Sequence, residues 1–337
     1  MIAVQRSHMG GIFLYNQPEA ILEQYDLNIR QITKGRGTYI CDSSQGMKLL
    51  VPFRGSAERA LFLRSVLENL KARGFAVEQV CLTKEGAAVA EDENGTRYWL
   101  KDFTPGNECS PGRPQDMTGA VTSLAGLHRA LDACTKKLPE FMQSEAGESQ
   151  NRCKRHYREL VRMKNYVQAR KSKNEFDRCF QKAYPHFILQ AERAVELFEQ
   201  LDDQMQGQKL CHGDFNQHNV LRTPEGLRIV NFEGMCSQPQ VWDLCNFIRK
   251  MMEKNNWDTT LGMLLLETYE KKRSLAGWEK KLMYSLLLFP EKFWKITNHY
   301  GNSHKAWVSQ RDIEKLKRLT EAEHDREQFL ENLFSFL

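Results

Sequence analysis

The stretch CHGDFNQHNVL, residues 211–221, places a histidine, an aspartate and an asparagine in one polar turn between apolar flanks. An aspartate on a rigid loop, here Asp214, can accept a proton from an attacking hydroxyl group or orient that group. Asn219, five residues later, can face the same pocket and offer its amide oxygen to Mg²⁺. His212 would pack inward and fix the loop. These residue types at this spacing are typical of phosphoryl transfer.

The residues after the turn extend this pattern. The segment VLRTPEGLRIVNFEG, a predicted β-turn-β unit, places Asn231 where a kinase carries the carboxylate that binds the metal ion and bridges the phosphates. Asp243, in VWDLCNF, would open a helix and anchor the loop from below. The spacing fits a kinase catalytic loop. The alternative is that His212 and Asp214 are ordinary turn and capping residues, for which Asp and Asn are commonly used.

The elements that must position these residues fall into two groups. Residues 28–52 read as three short strands separated by Gly- and Ser-rich turns, which indicates an antiparallel meander. Residues 56–73 are predicted to form an amphipathic helix that begins at the N-cap Ser56 and ends at Gly74, with Ala60, Leu63, Leu67 and Leu70 on one face. Further strands are predicted at 75–83, 86–91 and 96–103. Beyond the loop-forming residues TPGNECSPGRP the pattern becomes helical, and everything from 241 onward is predicted to be helix.

This order predicts an α+β, bilobal protein kinase-like fold, with a small antiparallel β lobe carrying one helix and a large, mainly α-helical lobe. The boundary is predicted between residues 1–101 and 102–337, with the catalytic-like loop in the second lobe. YWLKDF, residues 98–103, would be the hinge, whose backbone groups could pair with a purine edge. Trp99 and Lys101 are therefore candidate nucleotide-binding residues. The alternative interpretation of this hexapeptide is an edge strand that leads into a loop.

Bulk properties exclude several classes of protein. Hydrophobic residues make up 41 % and charged residues 27 % of the 337, which is ordinary for a globular protein. No apolar run approaches the roughly 18 residues that a membrane span needs, and the amino terminus lacks the features of a signal peptide. The net charge of +5 is intermixed with acidic residues, so nucleic-acid binding is not expected. We expect a cytoplasmic protein.

Several segments identify a family. The chain resembles the aminoglycoside phosphotransferase and choline kinase-like superfamily through CHGDFNQHNVL. It resembles CotS-type spore coat proteins of endospore-forming bacteria through KGRGTYICDSSQG, LAGLHRA, LCNFIRKMMEKNNWD and FPEKFWKITNHYGNSHKAW. The resemblance covers nearly the whole chain. It implies a kinase-like fold, location in the mother-cell cytoplasm and then the spore coat, and other spore coat proteins as partners.

The resemblance also exposes a departure at the metal site. Active members of the superfamily carry an aspartate where this chain has Asn231, in IVNFEG. An amide oxygen can bind Mg²⁺ but brings no charge, and Mg²⁺ is usually held by carboxylates together with substrate phosphates. Glu233 lies two residues on and would point to the same side of an extended segment. It is a candidate substitute ligand, with a hydrogen-bonding or solvent-facing role as the alternative.

A second departure concerns the lysine that grips the phosphates from the third strand of an active kinase. By the resemblance, its place falls at Val51, in MKLLVPF. Lys48 is three residues away and faces the opposite side of the strand. Arg54, beyond Pro52, is a further candidate replacement. Glu58, Glu68 and Glu85 are candidate partners, most simply read as surface charge.

Two losses at one phosphate site favour weak or absent phosphotransfer, because this reaction depends almost wholly on positioning and electrostatics. The first hypothesis is therefore a kinase-like spore coat protein that acts as a structural or interaction component, a pseudokinase. The alternative is an active phosphotransferase that uses Asp214 as catalytic base. A nucleotide-binding regulator without turnover is the third. ATP and Mg²⁺ are the expected ligands, bound weakly at most.

Overall fold

The computed structural model describes residues 18–35, 37–134, 137–143, 146–201, 209–302 and 309–336, with the backbone alone at 143 and 146–150. The chain divides into two compact units. Unit 1 contains the described residues within Met1–Gln143 and Lys209–Ser237, and unit 2 those within Ser144–Gln208 and Gln238–Leu337. The residues of the catalytic-like loop thus group with the amino-terminal part of the chain. The predicted lobe boundary at 101/102 stays a prediction.

A five-stranded antiparallel sheet forms the centre of unit 1, with the strand order β1-β2-β3-β5-β4. Its strands are β1 (Ile29–Lys34), β2 (Tyr39–Ser43), β3 (Gly46–Phe53), β4 (Ala90–Glu91) and β5 (Arg97–Asp102). The meander predicted for residues 28–52 is therefore confirmed. One face of the sheet buries a core cluster that includes Tyr39, Leu50, Tyr98 and Leu100.

Helices and two smaller sheets complete unit 1. The helices are α1 (Pro18–Leu22), α2 (Ala57–Ala72), α3 (Pro114–Cys134) and α4 (Glu140–Gln143). The strands β6 (Asn107–Glu108), β8 (Val220–Thr223) and β9 (Gly226–Ile229) form one small sheet, and β7 (Lys209–Cys211) pairs with β10 (Cys236–Gln238). The α+β class with a small antiparallel sheet and a larger helical part is thus confirmed.

The predicted helix at 56–73 is confirmed with its caps. The Ser56 side chain accepts a hydrogen bond from the backbone N–H of Arg59 at 3.1 Å, which satisfies one of the free donors at the helix start. Gly74 follows the helix with φ of +85°, a conformation that glycine adopts without strain. The predicted apolar residues all face inward, because Ala60, Leu63, Leu67 and Leu70 are fully buried.

The strand predicted at residues 75–83 is wrong, and so is the alternative interpretation of residues 98–103. Residues 75–83 form no regular strand, and their β-pairing with β5 is limited to the isolated bridge Val80–Lys101. Local turn bonds, such as that from the Val77 N–H to the Phe75 carbonyl, interrupt a regular ladder there. Residues 98–103 are also not an edge strand, because β5 lies between β3 and β4.

The regular elements of unit 2 in its described residues are helices, apart from Gln238 at the end of β10. Its helices are α5 (Ala146–Ala169), α6 (Glu175–Glu199), α7 (Val241–Met252), α8 (Thr259–Glu270), α9 (Gly277–Leu288), α10 (Glu291–Gly301), α11 (Gln310–Glu321) and α12 (Glu323–Phe336). The helix α6 begins at Glu175, where Asn174 and Asp177 form a capping box. Pro185 lies inside this helix. No helix in the described ranges is both long and apolar enough to span a membrane.

Aromatic side chains from α10 organise the core of unit 2. Phe293 is fully buried and stacks on Phe187, with ring centroids 4.4 Å apart. Trp294 stacks on His156 of α5 at 3.3 Å and donates a hydrogen bond from its Nε1–H to a Glu159 carboxylate oxygen at 2.7 Å. The His156 ring also lies 3.4 Å from the carboxylate of Glu291.

The surroundings of Glu291 shift the pKa of its carboxyl group. Burial by itself raises its pKa, but the contact with His156 and the charges of Arg249 and Lys295 outweigh that effect and lower the pKa to about 2. Because the folded-state pKa lies below the ordinary value of 4.5, the stabilisation is present above pH 4.5 and is lost as the pH falls towards 2.

We therefore predict that Glu291→Gln lowers the free energy of unfolding at pH 7 by up to about 3 kcal/mol, since each pKa unit corresponds to about 1.4 kcal/mol. The difference from the unchanged protein should shrink as the pH falls below 4.5. Urea unfolding at a series of pH values measures both quantities. Glu331→Gln, at an exposed position of α12, is the control. A difference that stays constant from pH 6 to pH 3 would show that the Glu291 charge is not the cause.

Candidate functional site

The polar loop of residues 212–219 connects β7 to β8 and ends in a short 3₁₀ turn, Gln217–Asn219. A second loop connects β9 to β10 and contains the 3₁₀ turn Phe232–Gly234. The two loops touch at Gly213, whose φ is +80° and whose position leaves no room for a Cβ atom beside the carbonyl group of Gly234. Both loops belong to unit 1, so their mutual geometry is fixed by the small sheets.

His212 joins the two loops. Its side chain is fully buried. The Nε2 atom lies 3.0 Å from the carbonyl oxygen of Val230, and the Nδ1 atom accepts a hydrogen bond from the backbone N–H of Asp214 at 3.3 Å. An acceptor at Nδ1 and a carbonyl at Nε2 together select the tautomer with the proton on Nε2. His212 therefore supports the loop and faces no open space.

Two asparagine side chains orient the Asp214 carboxylate. Asn216 Nδ2 donates to Asp214 Oδ1 at 3.0 Å, and Asn219 Nδ2 donates to Asp214 Oδ2 at 3.1 Å. The same two amides also donate to the Asp214 carbonyl oxygen, at 2.9 and 2.8 Å. Asp214 is partly exposed, so its carboxylate is held in place while it stays accessible.

Asn231 lies in the left-handed region, with φ of 66° and ψ of 58°, which Asn tolerates better than most residues. Its Nδ2 donates to Asn219 Oδ1 at 2.8 Å, and its Oδ1 accepts from Lys101 Nζ at 3.0 Å. The two amide oxygens predicted to bind a metal ion are thus both occupied by N–H donors. This set of donors, without a free carboxylate, does not fit Mg²⁺.

Lys101 of β5 is the centre of a buried charged cluster. Its ammonium contacts Glu78 Oε1 at 3.0 Å, Asn231 Oδ1 at 3.0 Å and a carboxylate oxygen of Glu233. The Lys101 and Glu78 side chains are fully buried, and that of Glu233 is 11 % exposed. Glu78 Oε1 also accepts the backbone N–H groups of Asn231 and Phe232, at 3.0 and 3.1 Å. We call these four residues, Lys101, Glu78, Asn231 and Glu233, the lysine cluster.

The charges in the lysine cluster shift each other's pKa values. Burial raises the pKa of Glu78 above its ordinary value, and the charge of Lys101 offsets this only in part. For Lys101, burial alone lowers the pKa, but the charges and hydrogen bonds of Glu233 and Glu78 outweigh it and raise the pKa above the ordinary lysine value. Lys101 is therefore an ammonium ion at neutral pH, and carboxylates surround it.

The predicted nucleotide-binding residues lie on one face of the sheet. Val51 pairs with Trp99, and Leu49 pairs with Lys101, so these four side chains share a face. Val51 is 4 % exposed, and Trp99 is fully buried and stacks on Phe53 at 4.7 Å. The roles of Val51, Trp99 and Lys101 towards a nucleotide stay predictions.

The other sequence candidates are not members of the lysine cluster. Lys48 pairs with Asp102, its Nζ 2.7 Å from Asp102 Oδ1, on the opposite face of the sheet. Arg54 is exposed. The assumption of an extended segment at Glu233 is wrong, because residues 232–234 form a 3₁₀ turn. Asp243 is buried in the first turn of α7 within unit 2, and its role as an anchor of the loop stays a prediction.

Sequence reasoning missed two carboxylates of the site. Glu78 lies in an irregular segment, and its one signal was a charged residue inside the apolar run FAVEQVCLT. Glu108 of β6 lies 2.5 Å from His218 Nδ1 and holds the far end of the 212–219 loop. Both were missed because each contact joins residues more than 100 positions apart, namely Glu78 with Asn231 and Glu108 with His218.

The fold defines a class of protein. An aminoglycoside phosphotransferase from Alicyclobacillus acidocaldarius has the same fold, with a TM-score of 0.81 and 19 % identity over 95 % of this chain and 96 % of that one. The AMP-bound spectinomycin phosphotransferase APH(9)-Ia superposes with a TM-score of 0.62 and 14 % identity, over 94 % and 96 %. The predicted kinase-like fold of the aminoglycoside phosphotransferase type is therefore confirmed.

Sequence comparison then gives the family. Residues 18–333 match the family described as "Spore coat putative kinase YutH", and the chain belongs to this family. The endospore coat-associated protein YutH of Bacillus subtilis (strain 168) is 24 % identical over 295 residues, which cover 85 % of this chain and 84 % of that protein. The resemblance to a kinase-like spore coat family is thus confirmed.

The close approach of the two loops at Gly213 gives a testable prediction. Gly213→Ala should lower the free energy of unfolding by about 1–3 kcal/mol more than Gly95→Ala. Both glycines have φ between +74° and +80°, so the conformational cost is matched, but a Cβ atom at Gly95 has no neighbour within 4 Å. Urea unfolding measures the two free energies. Equal losses would contradict the tight packing of the loops.

Proposed function

We propose that this protein is a kinase-like component of the spore coat whose magnesium-dependent phosphotransfer is weak or absent. The observation that carries the proposal is the hydrogen bonding of the Asn231 side chain. An amide replaces the carboxylate that would hold the metal ion, and the amide oxygen accepts a hydrogen bond from the Lys101 ammonium. A divalent ion would have to displace an ammonium already neutralised by two carboxylates.

Sequence similarity to coat proteins supports coat association. The chain belongs to a spore coat family, and its relative in Bacillus subtilis is an endospore coat-associated protein. Binding to neighbouring proteins does not require turnover. A structural or interaction role in the coat, with other coat proteins as partners, therefore agrees with a metal site that lacks its carboxylate.

One observation favours a second candidate function, an active phosphotransferase. Asp214 keeps both carboxylate oxygens oriented by amide donors, as a catalytic base requires. Structural relatives also bind nucleotides, among them spectinomycin phosphotransferase with ADP and an amicoumacin kinase with AMP-PNP and Ca²⁺. We rank this function second, because the orientation of Asp214 also serves the loop, whose backbone carbonyl accepts the same two amides.

The proposal predicts that MgCl₂ adds less than about 1 °C to any shift in melting temperature that ATP causes. A saturating ligand stabilises a fold by a few kcal/mol, so a real magnesium effect is easily measured. Asn231→Asp should restore a magnesium-dependent shift because it returns a carboxylate to the metal position. Asn94→Asp, at an exposed turn, is the matched control for added charge.

The same samples test turnover. We expect no release of ADP from Mg-ATP above the rate of Asp214→Asn, either alone or with spectinomycin or choline as a hydroxylated acceptor. A magnesium-dependent shift together with ADP release that Asp214→Asn abolishes would contradict the proposal and establish the second candidate function.

Coat association has its own test. In an endospore-forming host, a fluorescent fusion should concentrate around the developing spore, and the Asp214→Asn fusion should do the same because the proposed role requires no turnover. Imaging of sporulating cells measures both distributions. A fusion that stays diffuse in the mother cell contradicts a coat role, and loss of localisation in Asp214→Asn alone would tie localisation to catalysis.

A further inference from the structure

All three N–H donors of Lys101 have acceptors within the lysine cluster. An ammonium group has three N–H donors, and the structure gives Lys101 three acceptors, on Glu78, Asn231 and Glu233. Its side chain is fully buried. A ligand that uses this cation must therefore replace one of its three partners.

Two of these partners are held in place. Glu78 is fully buried, and its Oε1 accepts two backbone N–H groups in addition to Lys101. Asn231 is fixed at its backbone by Glu78 and at its side-chain amide by Asn219. Removal of either one would leave buried donors without acceptors, which is unfavourable.

Glu233 is held only by Lys101. It lies on a 3₁₀ turn of three residues, and its side chain is partly exposed. Within the described part of the chain, the contact of its carboxylate with Lys101 is the sole hydrogen bond of that side chain. A rotation of this side chain towards solvent hydrates the carboxylate and leaves one Lys101 donor without a partner.

The group that fits the released donor is an anion with terminal oxygens. A phosphate oxygen accepts a charge-assisted hydrogen bond from an ammonium as a carboxylate oxygen does. While Glu233 stays in place, two carboxylates face one ammonium, and a phosphate is repelled. Once Glu233 has left, the phosphate meets a balanced Lys101–Glu78 pair.

We propose that Glu233 occupies a phosphate subsite of this protein, and that a nucleoside di- or triphosphate binds by displacing Glu233 from Lys101 without a divalent ion. Lys101 of β5 is then the phosphate-binding lysine, supplied from the strand beside the one that carries Val51. This inference rests on the proposed function for the absence of a magnesium site and extends it to the ligand.

The test is the affinity for ADP and ATP, measured by isothermal titration calorimetry in EDTA and again in MgCl₂. Glu233→Gln keeps the shape of the side chain and removes its charge, so it should bind both nucleotides about tenfold more tightly than the unchanged protein, with or without magnesium. Glu93→Gln changes the net charge equally at an exposed position and should bind like the unchanged protein.

The role of Lys101 is tested in variants that also carry Glu233→Gln. Lys101→Met combined with Glu233→Gln should lose the gain, and the further change Glu78→Gln removes the carboxylate that Lys101→Met leaves buried. Circular dichroism shows whether each variant is folded. If Lys101→Met with Glu233→Gln does not fold, the triple variant gives the answer, and undiminished affinity in any folded variant without Lys101 overturns the proposal.

Two other results overturn it. Equal affinity of Glu233→Gln and the unchanged protein, including the case in which neither binds, would show that Glu233 guards no phosphate subsite. A gain that occurs only with MgCl₂ would show that Glu233 excludes a metal ion instead. Neither result measures phosphotransfer by the unchanged protein or its localisation, and these two measurements test the proposed function separately.

Discussion

A buried ammonium must be surrounded by oxygen atoms, and the rest of the site depends on how Lys101 meets this requirement. Its three partners come from the irregular segment after α2, the left-handed residue after β9 and the 3₁₀ turn beyond it. The cation therefore ties the five-stranded sheet to the loop between β9 and β10. A hydrogen-bond chain continues from Asn231 through Asn219 to Asp214, so the lysine cluster also helps to place the predicted catalytic carboxylate.

The retained loop motif has a structural explanation. His212 joins two loops through the Val230 carbonyl and the Asp214 N–H. Asn219 bridges Asp214 and Asn231. Because each of these side chains satisfies buried or partly buried polar groups, its loss would cost stability even in a protein without enzymatic activity. The presence of an H-G-D-x-x-x-x-N pattern is therefore weaker evidence for turnover than the same pattern beside a metal-binding aspartate.

Local signals were sufficient for much of the fold. The spacing of Ala60, Leu63, Leu67 and Leu70, with Ser56 before them, gave α2 correctly because helix periodicity and capping are properties of adjacent residues. The same holds for the β1–β3 meander. The Glu78–Lys101–Asn231 contacts could not be predicted, because they join an irregular segment, a strand and a loop distant in sequence. The hinge prediction for residues 98–103 included Lys101. These six residues indicate a strand, but they do not indicate which residues the Lys101 side chain contacts.

The two departures from an active kinase are linked. In the sequence, Val51 stands where the resemblance places a lysine, and Asn231 stands where it places an aspartate. The sequence therefore indicates two independent losses, one of a cation and one of an anion. In the structure, a lysine reaches Asn231 from the strand adjacent to Val51, and Glu78 brings a carboxylate to the Asn231 backbone. The site thus keeps a cation and an anion, but they are paired with each other and buried. The Lys101–Glu78 pair has little charge left for Mg²⁺ because each partner neutralises the other, and the carboxylate of Glu233 is bound to the same ammonium. The same ion pair on which we base the proposed loss of metal-dependent chemistry also positions the kinase-like loop through protein groups.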